Sequence, residues 1–77
     1  PLIAALADTD DAVRWQAAWS LGRLGDGGAV GPLIDVLGDR KPDVRWFATW
    51  SLAEITGEAF GDDPDAWRAW WAARPTD

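Results

Sequence analysis

Apolar residues in this chain recur at three- and four-residue intervals rather than at alternate positions, a spacing that predicts helices and gives no strand signal. In the longest stretch, Val13, Ala17, Ser20, Leu21 and Leu24 cluster within roughly 100° of one another on a helical projection. Val44, Ala48, Ser51, Leu52 and Ile55 repeat that cluster, and each set is expected to be the face packed on a partner helix. Leu33, Ile34 and Leu37 share one face of a shorter helix that follows Ala29 and Val30. Trp15 and Trp19 project from the other side of the first long helix, as do Trp46 and Trp50 from the second. Within one repeat, the tryptophans are therefore predicted to point away from the core.

Punctuation between these runs sets the helix limits. Pro32 is tolerable only near a helix start, where a missing N–H costs little. Gly38 and Asp39 end the short helix, and the turn DRKPD, with Pro42 reinforcing the break, leads into the next one. Asp11 and Asp43 are placed to act as N-cap or first-turn acids. Further on, Asp63, Pro64 and Asp65 form a strong helix start. Trp67, Trp70, Trp71 and Arg74 then fall at i, i+3, i+4 and i+7, and Pro75 ends the stripe. Phe60 is expected to pack in the turn before this helix, much as a staple does.

The chain is an internal repeat. Laid without gaps over residues 32–56, residues 1–25 give twelve identities, among them Val13, Arg14, Trp15, Trp19 and Ser20 against Val44, Arg45, Trp46, Trp50 and Ser51. A period near thirty in a helical pattern indicates a solenoid. The expected architecture is all-α, with two helical-hairpin repeats over about 1–27 and 28–57 and a capping helix over about 63–74. Pro1 runs directly into the apolar segment LIAAL, so the expectation is a fragment of a longer repeat array.

The stretches PLIAALADTDDAVRWQAAWSLGRLGDGGAVGPLI and PLIDVLGDRKPDVRWFATWSLAEITG resemble HEAT-like repeats of the phycobilisome-lyase type, over about residues 1–57. The second copy departs where Ala53 replaces Gly22, and where TGEAFG replaces GDGGAV. The resemblance implies a right-handed α-solenoid with the second helix of each repeat lining a concave groove. It places Trp15, Gln16, Trp19 and Arg23, with Trp46, Phe47, Trp50 and Glu54, on that groove as candidate partner-binding residues. It also implies that Arg14 and Arg45 reach an aspartate in a turn, for which Asp8 and Asp39 are candidates.

Composition narrows the chemistry. Seventy-seven residues make one small domain, and without cysteine neither a disulfide nor a thiolate metal site can supplement its core. The absence of His, Cys, Met and Tyr removes imidazole acid–base chemistry, thiolate nucleophiles and zinc sites of the usual kinds. Ser20 and Ser51 are expected to bond a backbone carbonyl one turn back rather than to react. Asp10–Asp11 and Asp62–Asp63 sit at helix starts, which accounts for them without a metal. A net charge of −6 with a single lysine disfavours nucleic acid, and no apolar run approaches the ~20 residues of a membrane span.

The expectation is a non-enzymatic cytoplasmic module with no cofactor and no metal, which binds a peptide or partner helix on its tryptophan face. Two alternatives stand beside it: self-association of that face into a homo-oligomer, and a small-ligand or bilin-lyase-related role.

Overall fold

The computed structural model describes residues 2–73, so Pro1, Arg74 and Pro75 lie outside the described residues. Five α-helices follow one another: α1 (Leu2–Ala5), α2 (Asp11–Leu24), α3 (Val30–Asp35), α4 (Pro42–Thr56) and α5 (Pro64–Ala72). Short 3-10 turns precede and follow α3 at Gly27–Ala29 and Val36–Gly38. There is no strand among the described residues, and the molecule is an all-α solenoid.

Local chemistry explains the helix limits. Asp10 is the N-cap of α2, its carboxylate accepting from the Ala12 amide, while Asp11 sits in the first turn. Pro42 is the first residue of α4 rather than part of the break before it, because its lost N–H would have had no helical partner there. Asp43 is the first-turn acid of α4. Both long helices stop at a glycine in the left-handed region, Gly25 at φ 68° and Gly57 at φ 76°, where a side chain would be strained. The N-cap of α5 is Asp63, which accepts from the amides of Asp65 and Ala66.

Helices α2 and α4 form the main interface of the fold, and its two sides are not equivalent. Helix α4 buries Val44, Ala48, Ser51 and Leu52, as its apolar pattern predicts. Helix α2 instead buries Arg14, Ala17, Ala18, Leu21 and Gly22, a face turned by roughly 80° at 100° per residue. Val13 and Leu24 are exposed, Leu24 to 69%, and Ser20 is half-buried, contrary to their expected place in the packed face. The reason is position in the stack: α2 meets α4 on the flank opposite to the one by which α4 meets α2.

Close approach at this interface depends on small residues. A Cβ on Gly22 would lie 2.7 Å from Cβ and 2.8 Å from Cα of Ser51, too near for any rotamer change to relieve. The fully buried Ser51 hydroxyl donates to the Ala18 carbonyl across the interface, not to its own helix one turn back. Thr49 and Thr56 make the intrahelical bond instead, to the carbonyls of Arg45 and Leu52 at 2.9 and 2.7 Å.

The rest of the core comes from α3 and α5. Val30, Leu33, Ile34 and Leu37 are buried with Leu6, Leu21 and Leu52, and Trp67 is the largest fully buried side chain. Its indole N–H donates to the Gly61 carbonyl at 2.7 Å, so ring burial leaves no polar atom unmatched. Phe60 meets Trp67 edge-on with centroids 5.0 Å apart, in keeping with its expected place in the turn before α5. Trp70 and Trp71 are half-buried against the same core.

Candidate functional site

The aromatic face is built from the outer flanks of α2 and α4. Trp15 and Trp19, one turn apart on α2, point the same way, and the Arg23 guanidinium one turn further lies 4.7 Å from the centroid of the Trp19 ring. A cation over an indole face contributes about 0.5–1 kcal/mol at an exposed site. Gln16 and Arg23 are exposed, and Trp19 is 37% exposed. On α4, Trp46 is the most open ring at 62%, Phe47 and Trp50 are half-buried, and Glu54 is exposed.

Contact between the two rows runs through Phe47, not through tryptophan on tryptophan. Trp15 stacks on Phe47 with centroids 4.8 Å apart and planes inclined by 21°. Trp46 then meets Phe47 edge-on, at 4.9 Å and 84°. Offset stacking and edge contacts of this kind are the two favoured aromatic geometries. The structure therefore brings Trp15, Phe47 and Trp46 together into one cluster. Trp19 with Arg23 forms a second group on the same helix as Trp15.

Beside the aromatic cluster runs an arginine–aspartate joint. Arg14 donates through Nε and NH2 to the two Asp39 carboxylate oxygens, at 2.7 and 3.2 Å. Its NH1 donates to the carbonyls of Asp8 and Thr9. The hydrogen bonds it donates to Asp39 raise the Arg14 pKa further, over an opposing contribution from burial. Burial acts to push the Asp39 carboxyl up, but the bonds from Arg14 and the Lys41 amide, with the charges of Arg14 and Arg40, hold it below the usual range. Asp39 also closes its own turn, accepting from the Lys41 amide at 2.9 Å, as Asp8 does from the Asp10 amide.

Arg45 repeats half of this arrangement. Its NH1 donates to the Asp39 carbonyl at 2.7 Å, the counterpart of the Arg14 bond to the Asp8 carbonyl. Among the described residues it has no carboxylate partner; the ion pairs there are Arg14–Asp39 and the exposed, 3.7 Å Arg68–Asp35 contact. A surface depression of about 460 Å³ opens at Arg45, lined also by Pro42, Trp46, Thr49, Gly61 and Asp62. Repeat alignment identifies Arg45 and Trp46 as partners of Arg14 and Trp15, but Thr49 and Asp62 carry no signal in the sequence that would join them to this site.

A stack of two hairpins, α1–α2 and α3–α4, joined by the Arg14–Asp39 ion pair defines an α-helical repeat protein. The model of HEAT repeats matches residues 1–74, and the chain belongs to that family. The match is to HEAT repeats in general, not to the phycobilisome-lyase type in particular. No curated protein matches the sequence. HEAT repeats generally mediate protein–protein interaction or scaffolding and are generally non-catalytic. No group of three metal-ligating side chains occurs among the described residues, and no described helix is long and apolar enough to cross a membrane.

Proposed function

We propose that the chain is a non-catalytic interaction module that seats a peptide or a partner helix on its concave face. Trp15, Trp19, Trp46, Phe47 and Trp50 form the apolar floor in this reading, and Gln16, Arg23 and Glu54 its polar margin. The observation that carries it is the 62% exposure of Trp46, the open member of the cluster with Phe47 and Trp15. A Trp ring offers ~150–250 Å², and covering one contributes about 2–3 kcal/mol. Several such rings on adjacent helices match the aromatic anchors that dominate protein interfaces.

Selection of binding peptides from a displayed helical library, followed by Trp19→Ala and Trp46→Ala, tests the reading. Both substitutions are expected to abolish binding with the far-UV circular dichroism unchanged. Retained binding in both variants would refute it, as would loss of helicity, which would make these rings structural.

A second reading is favoured by Val13 and Leu24, exposed on α2 although their counterparts Val44 and Ile55 are buried and half-buried. Here a further repeat, or a second copy of the chain, covers that flank as α2 covers the matching flank of α4. Light scattering across a dilution series is expected to report more than one chain in the second-copy case. A monomer at every concentration removes that case.

A further inference from the structure

The two repeats present the same pair of side chains in two different states. In the first, Arg14 holds the Asp39 carboxylate with Nε and NH2, and Trp15 stacks on Phe47; both partners come from the next hairpin. In the second, Arg45 occupies the equivalent position on α4, fixed by the same NH1 bond to the carbonyl six residues back. The edge of its guanidinium that corresponds to the Asp39-binding edge of Arg14 has no protein acceptor among the described residues. Trp46, the counterpart of Trp15, meets Phe47 by its own helix and leaves most of its surface open. Both unmatched groups line one depression of about 460 Å³.

The chain thus contains a filled version of the site, and the filled version specifies the chemistry of what fits. We propose that the depression at Arg45 and Trp46 recognises a polypeptide segment that presents a carboxylate together with an aromatic ring, the pair that Asp39 and Phe47 supply to Arg14 and Trp15. The carboxylate forms a bidentate, charge-assisted pair with Arg45, while the ring packs on the Trp46 indole. Pro42 and Thr49 form the walls. Asp62 stands on the rim, not ion-paired with Arg45, and its charge disfavours an entering anion. This deepens the partner-binding reading, because Trp46 belongs to both, but it requires Arg45, which that reading does not use.

The test uses the full chain labelled with nitrogen-15 and a series of blocked peptides carrying one Asp and one Phe, separated by glycine spacers of increasing length. Saturable shifts of the Arg45 Nε–H and the Trp46 indole N–H are expected for at least one spacer. Replacing the peptide Asp by Asn is expected to weaken binding about 10–100-fold, the worth of hydrogen bonds to a charged group. Arg45→Gln should have the same effect, and Asp62→Asn should tighten binding. Peptides without Asp but ending in a free Phe carboxylate distinguish a chain terminus from a side chain as the source.

No saturable shift with any peptide, or equal affinity for the Asp and Asn forms, overturns the proposal. The Asn peptides keep the test decisive even where Arg45→Gln perturbs the turn at Asp39. Loss of the wild-type Arg45 Nε–H signal in Asp62→Asn would show that Asp62 fills the site itself, which also overturns it. Trp19→Ala separates the two readings: it abolishes partner binding along the concave face and leaves these peptide affinities unchanged.

Discussion

Gly22→Ala inverts the usual expectation for a glycine in the interior of a helix. Helix propensity alone predicts that alanine stabilises such a position by about 0.8–1 kcal/mol, and the loss of unfolded-state freedom acts in the same direction. The α2–α4 interface opposes both. The new methyl would lie 2.7 Å from the Ser51 Cβ and 2.8 Å from its Cα, whereas carbon atoms at rest stand about 3.5–4.0 Å apart. Because Cα belongs to the backbone, the helices must separate by roughly 1 Å. Forced overpacking of this kind typically costs about 1–3 kcal/mol. Separation also breaks the bond from the Ser51 hydroxyl to the Ala18 carbonyl, a further ~0.5–1.5 kcal/mol. The sum outweighs the propensity gain and leaves a net destabilisation of about 1–3 kcal/mol. For a domain of this size, each kcal/mol corresponds to about 4–8 °C in Tm. Thermal and urea denaturation followed by circular dichroism measure the change. A Gly22→Ala protein more stable than the parent would refute the close-approach account. Ala53→Gly, at the equivalent position of α4, supplies the control: Ala53 is half-buried where Gly22 is buried, and the substitution is expected to cost only the ~1 kcal/mol of propensity.

Three further outcomes follow from the packing. Ser51→Ala loses an interhelix hydrogen bond and about 0.5–1.5 kcal/mol, while Ser20→Ala at the equivalent position stays within about 0.5 kcal/mol of the parent; equal effects in urea melts would contradict the asymmetry of the two helices. Trp67→Ala removes the largest buried ring and about 3–5 kcal/mol, much of the total stability of so small a domain, so its near-ultraviolet dichroism at 37 °C should collapse; a cooperative melt close to the parent's would place the ring outside the core. Asp39→Asn lowers the Tm at neutral pH. Because the folded pKa of Asp39 is lowered, its contribution is complete above the unfolded value of about 4 and is lost as pH falls through the folded value. The gap between parent and variant should therefore narrow in acid, and a gap that widens would reverse the assigned shift.

Much of the fold is legible in the residues. Helix limits are written in Asp10, Asp63, Pro64, Gly25 and Gly57, each acting on its own segment of backbone. The direction of burial on α2 is not legible in that way. Val13 and Val44 each precede an Arg-Trp pair in equivalent places, yet one is exposed and the other fully buried, because the difference lies in which hairpin stands alongside. A helical projection of a single repeat contains no such term. The same limit governs the candidate site. The outward direction of Trp46 follows from periodicity, whereas the half-burial of Trp15 depends on Phe47, which occupies the place of Gln16 in the other copy. The copies share their tryptophans, whereas Phe47, at one of the positions where they differ, is the residue that joins the two rows.

Asp39 is held by its side chain to one hairpin, by its carboxylate to its own turn and by its carbonyl to the following helix. A unit that carries both an aspartate plug and an arginine socket is complementary to a copy of itself. Duplicating its coding sequence therefore yields a junction whose ion pair is already matched, while the close approach at Gly22 and the ring of Phe47 are supplied by positions that differ between the copies. Arrays of this kind can lengthen in single steps with the same charge pair at every junction.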